Sequence, residues 1–322
     1  MHIWNKLILA GTLLAGISQA QALDFPERNV RIVVSLGAGS SLDLLTRQLA
    51  RRLEEKWGKP VVVENKPGAG GMLAAEYVSK QAPDGYTWLM SGPSLIAGKL
   101  LNSRLTFDPM KDLMPLARLI NLRIVLATNT DVPAQNMQEF VKYARANPGR
   151  LNYAGTGRTS IIDTGIEVIT RGFGLSLTGV PFPGAPQHIT ALIRNDVQLV
   201  WAGAAVMREQ LGTNRVRLLA SVSERRLADM PDLPTVVEAG YAGFVPTIWN
   251  GLFVPAGTDP SLVRRIYKDI EAVLSTPEAV KMLGDVLGMD AAIGTPDELR
   301  AQMERELAFW RDMFGKLEIK SQ

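Results

Sequence analysis

Two short clusters of glycine and hydroxyl residues carry the groups best suited to grip an anion. In the first, Leu36, Gly37, Gly39, Ser40 and Ser41 follow an apolar, β-branched run and precede Asp43 and a long amphipathic stretch. A strand that turns through small residues into a helix leaves backbone N–H groups without intrahelical partners, where a ligand can approach them. In the second, Thr156, Gly157, Arg158, Thr159 and Ser160 follow Tyr153-Ala154-Gly155. Arg158 adds a guanidinium whose fork matches a carboxylate. The plain alternatives are a tight connection without a ligand and a solvated loop arginine. Two such turns in separate halves of a chain imply a ligand held between them.

Other chemistries find little support. The first turn resembles part of a dinucleotide fingerprint, but Leu42 stands where the third glycine belongs. The chain has no cysteine and two histidines, His2 and His188. Thiol nucleophiles, disulfides and thiolate metal sites are therefore excluded. No Gly-x-Ser-x-Gly elbow accompanies His188, and the carboxylates are dispersed. Asp43 and Asp163 each sit early in a helix, where capping and the helix dipole explain them. No metal, cofactor or catalytic residue is expected, and the chain is not read as an enzyme. A net charge of +3 from scattered basic residues argues against nucleic acid. Trp201, read as ending a strand on the ligand side, and Trp249, read as beginning one, serve either a binding wall or a core.

The elements that must position these groups alternate between strand and helix. Strands are expected at 30–35, 61–64, 87–91, 151–154, 178–182, 197–201, 217–222 and 248–254. A long extended stretch covers 116–128, interrupted near Asn121. Helices are expected at 42–57, after Gly68-Ala69-Gly70-Gly71 through Ala82, and at 136–146, 161–173, 186–193, 260–274, 277–287 and 296–314. Strands alternating with helices of this length indicate an α/β protein with mostly parallel sheets. Ligands bind beyond the carboxyl ends of the strands in such sheets. Residues 1–22 read as a secretory signal peptide. A weakly basic start precedes the apolar run Leu7–Ile17, and Ala20 and Ala22 set cleavage before Leu23. A soluble periplasmic protein without a lipid anchor is expected.

With these residues assembled, the chain closely resembles the Bug family, the periplasmic solute-binding proteins of tripartite tricarboxylate transporters. The resemblance covers essentially all of the mature chain. It is carried by Val61-Val62-Val63-Glu64-Asn65-Lys66-Pro67-Gly68-Ala69-Gly70-Gly71, Ala82-Pro83-Asp84-Gly85-Tyr86-Thr87 and Asn147-Pro148-Gly149-Arg150-Leu151-Asn152-Tyr153-Ala154. Asp232-Leu233-Pro234-Thr235 through Gly240, and Trp249-Asn250-Gly251-Leu252-Phe253-Val254-Pro255, complete it. The resemblance implies a two-domain periplasmic-binding-protein fold of type II-like form, with the ligand in the interdomain cleft. Domain 1 is then discontinuous, residues 23–124 and 224–322, and domain 2 is residues 125–223. It further implies a monomer that captures a small organic carboxylate, largely through backbone N–H groups of the two Gly/Ser/Thr turns. Delivery to large and small membrane permease subunits follows.

Departures from the family pattern bear on the ligand. The first loop lacks the usual prolines, aromatic residue and second glycine. Trp201-Ala202-Gly203 replaces a polar trio, and Ala202 cannot meet a ligand ammonium. Val180-Pro181-Phe182-Pro183-Gly184 loses a hydroxyl and a cation. Leu36, Phe182, Trp201 and Ala202 together suggest an aromatic or otherwise apolar carboxylate, with Arg158 available for a second acid. A ligand sensor for a signalling system is the alternative, followed by a periplasmic hydrolase of small esters.

Overall fold

The protein is described by a computed structural model over residues 25–155, 161–182, 184–243, 245 and 247–316. Strands β1 (Val30–Val34), β2 (Val61–Asn65) and β3 (Thr87–Ser91) run parallel. Helix α1 (Ser41–Trp57) joins the first two, and a tight 3-10 turn at Ala69–Gly71 leads from β2 into α2 (Met72–Ser79). After β3 comes α3 (Ser94–Leu101), then β4 (Leu113–Leu122) and β5 (Ile124–Asn129), separated only by Arg123. The middle of the chain supplies α4 (Met137–Ala146), β6 (Asn152–Gly155), α5 (Ile161–Gly172), β7 (Thr178–Pro181) and α6 (Ala185–Ile193). It continues with β8 (Leu199–Gly203), α7 (Ala204–Gln210) and β9 (Val216–Ser221). Finally come β10 (Trp249–Pro255), α8 (Pro260–Leu274), α9 (Pro277–Lys281), β11 (Met289–Gly294) and α10 (Pro296–Lys316).

These strands build two sheets, in the orders β11-β4-β10-β3-β1-β2 and β7-β6-β8-β5-β9. The architecture is the two-domain α/β arrangement that the resemblance implies. Both sheets are mixed, which corrects the expectation of mostly parallel ones. β10 pairs antiparallel with β3 and β4, and β5 pairs antiparallel with β8 and β9. Each is the strand by which the chain enters a sheet from the other one. An entering strand starts at the junction and runs away from it, against neighbours whose carboxyl ends face that junction.

Burial on both faces explains why the strands read as continuous apolar runs. In β1, Val30, Ile32 and Val34 pack under α1 and α8 with Leu45, Leu49 and Ile266, while Val33 faces α2 and α3. Each such side chain contributes about 1.5–3 kcal/mol when fully buried. In the second sheet Leu126, Leu199 and Trp201 share one face with α4 and α5, and Val125, Val200 and Ala202 take the other. The three prolines at 260, 277 and 296 each open a helix. Asp259 and Thr276 cap the first two, and Thr295 with Glu298 caps the third reciprocally. Helices α3 and α7 and strand β11 were not foreseen in the sequence.

The junction between the sheets is held by ions. Arg123 donates to Asp290 of β11 at 2.7 Å and lies 3.2 Å from Asp229, which also meets Arg208 of α7 at 2.9 Å. Beside this cluster Gly288 has a φ of +64°, and a Cβ there would come within 2.7 Å of the Ala205 side chain. Only glycine fits both the backbone and the contact.

A second buried polar group braces the return strand. Trp249 donates its indole N–H to Glu306 of α10 at 2.8 Å, and Gln302 donates to the same oxygen at 2.9 Å. Burial pushes the Glu306 carboxyl up to about 7, against the opposing effect of those two donors and of Arg305. A carboxyl whose pKa is raised by folding binds more protons folded than unfolded between 4.5 and about 7. Its contribution is complete below that window and lost as pH rises through it, by up to about 3 kcal/mol. Thermal melts from pH 4.5 to 8 should therefore show a decline that Glu306→Gln flattens; an equal decline in the variant would contradict this assignment.

Candidate ligand-binding site

The three parallel strands of the first sheet end at one edge, and each is followed by a helix start. Behind β1, Ser40 caps α1 with its hydroxyl, which accepts the Asp43 N–H at 3.2 Å. Gly39 lies at φ +78°, and its N–H donates to the Asp43 carboxylate at 2.9 Å. Asp43 also accepts from Asn65 at 2.9 Å and from Arg47 at 3.0 Å, while Arg47 donates to Asn65 at 3.2 Å. Asn65, at the end of β2, donates as well to the carbonyl of Leu36 at 3.1 Å. The first Gly/Ser turn is thus tied to the neighbouring strand by a closed ring of side chains. Burial raises the Asp43 pKa, but the donors Arg47, Gly39 and Asn65 outweigh it and hold the carboxyl below its ordinary value of 3.8.

The loop after β2 is shaped by four consecutive residues of positive φ: Gly68, Ala69, Gly70 and Gly71. Ala69 is the costly one, since left-handed backbone disfavours a Cβ by about 1–2 kcal/mol. Gly71 marks the meeting point of all three loops. A Cβ there would lie 3.2 Å from Ser35 and 3.4 Å from the hydroxyl of Ser94. The third loop, Gly92-Pro93-Ser94, starts α3. Gly92 is pressed against the Trp249 carbonyl, only 2.5 Å from where a side chain would begin.

Between these loops lies a cavity of about 840 Å³. Ser35, Ser41 and Ser94 bring hydroxyls to it, and Leu36, Leu42, Met72, Leu122 and Ile248 supply apolar surface. One face of α3, formed by Ser94, Ala97, Gly98 and Leu101, runs along its wall. Asn102, Arg104 and Asn250 complete its polar lining, and among the described residues no carboxylate lines it. Such a space suits an anionic head at the helix starts and an apolar body along α3.

The residues singled out in the sequence divide clearly. Leu36 and Ser41 line the cavity, and Leu36 is 46% exposed. Gly37, Gly39 and Ser40 form the turn behind them, and Asp43 is buried within the bracing ring rather than on the cavity wall. Thr156, Gly157, Arg158, Thr159 and Ser160 lie outside the described residues. Trp201 does not end its strand: it sits midway along β8, 3% exposed, against Gly165 of α5. Ala202, its neighbour, is also buried and points to the opposite face, because successive strand side chains alternate. The two therefore cannot present their side chains to one wall. Trp249 begins β10 and is fully buried.

Phe182 is half-buried and meets the edge of His188 with ring centroids 6.0 Å apart. The Gly155 carbonyl accepts the Phe182 N–H at 2.8 Å and lies 3.1 Å from His188 Nε2. Burial lowers the His188 pKa, so at neutral pH it packs the end of β6 as an uncharged ring. The loops at 69–71 and 92–94 were missed as site residues. Their signal was present, since Gly92-Pro93-Ser94 repeats the pattern of an apolar strand followed by small residues.

Asp43→Ala should destabilise the protein by about 1–3 kcal/mol, since it removes a buried carboxylate that accepts hydrogen bonds from Gly39, Arg47 and Asn65. Urea titration at pH 7 measures this loss. The native contribution is present above pH 3.8 and disappears as pH falls through the lowered pKa, so the two proteins should converge in acid.

Comparison with known proteins accords with this geometry. Residues 45–318 match the model of the tripartite tricarboxylate transporter family receptor. A UPF0065 protein from the gbd 5′ region of Cupriavidus necator is 34% identical over 84% of this chain and 83% of its own length. Protein BugT of Bordetella pertussis is 28% identical, covering 96% of each chain. The structure of R. palustris Rpa4515 with adipate superposes with a TM-score of 0.82 at 27% identity, covering 93% of this chain and all of that one. The chain accordingly belongs to the receptor family of tripartite tricarboxylate transporters, the solute-binding proteins that include BugT.

Proposed function

We propose that this protein captures a small organic carboxylate in the cleft beside α3 and delivers it to the large and small permease subunits of a tripartite transporter. The observation that carries this reading is the cavity itself. Three helix starts and three serine hydroxyls meet at one end, apolar side chains line the body, and no described carboxylate is there to receive an ammonium group. An amino acid would leave its cation unpaired on this wall, at a cost of about 1–3 kcal/mol or more. An aromatic or otherwise apolar acid gains from burial against Leu36, Met72 and Ile248. The adipate in R. palustris Rpa4515 is a carboxylate with an apolar body, which supports the same class here.

Capture is a binding event without covalent chemistry. The lobes, 23–124 with 224–322 and 125–223, close about the adjoining crossings β4–β5 and β9–β10, the first of which carries the Arg123 cluster. Thr156, Gly157, Arg158, Thr159 and Ser160 are assigned to the same ligand by their residue types, with Arg158 available to an acid group. The working form is a monomer in the periplasm, released from its signal peptide before Leu23. It needs no metal or cofactor and has no business with nucleic acid. The buried, uncharged His188 gives no support to a hydrolase.

A thermal-shift screen of benzoates, other aromatic acids, adipate, malate, citrate and glutamate tests the ligand class. Stabilisation by apolar or aromatic acids is expected, and a response to citrate or glutamate alone would overturn it. Ala97→Leu fills the wall of the cavity and should weaken the best ligand about tenfold or more. Unchanged affinity in that variant would place the site elsewhere. N-terminal sequencing of the exported protein should begin at Leu23.

A further inference from the structure

The cavity has two unlike ends. At one, the starts of α1, α2 and α3 gather hydroxyls and backbone N–H groups. At the other, beyond the last turn of α3, stands Arg104, the single charged residue among the described residues that line the cavity. The α3 face between them comprises Ser94, Ala97, Gly98 and Leu101, a span of roughly 10 Å at 1.5 Å per residue. Small residues leave the first half of that path open. Gly98 is also where Met72 packs, since a Cβ there would lie 2.3 Å from the Met72 sulfur.

Arg104 is an exposed cation whose acidic neighbours are already engaged. Asp108 pairs with Lys99 and accepts the Met110 N–H, and Asp112 accepts the Asp108 N–H at 2.7 Å. Glu76 takes Lys80 at 2.7 Å and the Thr106 hydroxyl at 2.5 Å. The turn that carries Arg104 is itself fixed, because its N–H donates to the Asn102 side chain at 3.0 Å. No ion pair of the Arg104 guanidinium occurs among the described residues.

We infer that Arg104 reads a second acidic group, so that the receptor selects dicarboxylates whose acids are held apart by an apolar chain or ring. This rests on the reading of the α3 cavity as the ligand site. The first carboxylate sits at the helix starts, and the second meets the guanidinium fork at the far end of α3. A monoacid of the same length leaves that fork to water, so Arg104 sets charge number and length rather than basic affinity for carboxylates.

Matched pairs separate these roles: hexanoate with adipate, and benzoate with terephthalate, titrated calorimetrically into the mature protein. The wild type should bind the diacid of a responding pair about 10–100-fold more tightly than its monoacid. Arg104→Gln should bring that ratio to about one by weakening the diacid far more than the monoacid. Arg104→Lys should keep part of the preference, because charge remains where the fork is lost. An unchanged ratio in Arg104→Gln, or an equal loss for both members of a pair, overturns the assignment. So does a ratio that collapses in Arg158→Gln instead. If neither pair binds but another acid in the thermal screen does, and Ala97→Leu weakens it, the inference fails while the site stands. If Ala97→Leu leaves every ligand untouched, the site reading fails with it.

Discussion

The first backbone N–H groups of a helix have no partner within the helix, and something outside must accept from them or water will. This molecule places three such starts at one edge of one sheet, because β1, β2 and β3 run parallel and each is followed by a helical turn. The loops there must be small to pack against one another, and Gly71 shows how tightly they do so, with Ser35 and Ser94 both within contact of its missing side chain. An anion-seeking edge is therefore a product of strand direction before any particular side chain is chosen. Side chains then decide how rigid the edge is and what body can lie beside it.

Rigidity comes from groups that do not line the cavity. Asp43 gathers Gly39, Asn65 and Arg47, so the β1 turn is fastened to the end of β2 rather than left as a free loop. Pre-positioned donors lose less freedom on binding than mobile ones. The same division holds on the second sheet, where Gly155, Phe182 and His188 lock the end of β6. Residues whose types suggested ligand contact thus turn out, in several cases, to brace the residues that line the cavity.

How far the sequence discloses this depends on the range of the forces involved. β1, β2 and β3 are legible because β-branched or otherwise apolar runs stop at glycine or proline, a local signal. Helices with a clear stripe or a cap, such as α1, α4 and α8, are legible for the same reason. Helix α3 is not, since Ser94-Leu95-Ile96-Ala97-Gly98 carries no polar face and its surroundings alone make it a helix. β11 runs through Ala291-Ala292, which have no strand preference, and forms only because β4 offers an edge. The sense of β5 and β10 could not be read either, since direction at a crossing is a property of the whole path. Within the site, the Gly37–Asp43 turn was legible and its convergence with residues 69–71 and 92–94 was not. Trp201 misled because an aromatic near a strand end looks alike whether it faces a ligand or a helix.

The place of β10 has a consequence for how the molecule is made. It lies between β3 and β4, pairing with both, yet it is followed by fewer than a quarter of the residues. Until it arrives, β3 and β4 each expose an unpaired edge next to the helix starts that form the cavity. The second sheet takes all of its strands from β5 to β9, and residues 227–241, which pack against it, follow directly. Synthesis from the amino end therefore delivers every strand of the inserted sheet before the central strand of the sheet that surrounds it. The half of the protein that bears the candidate site is begun first and finished last.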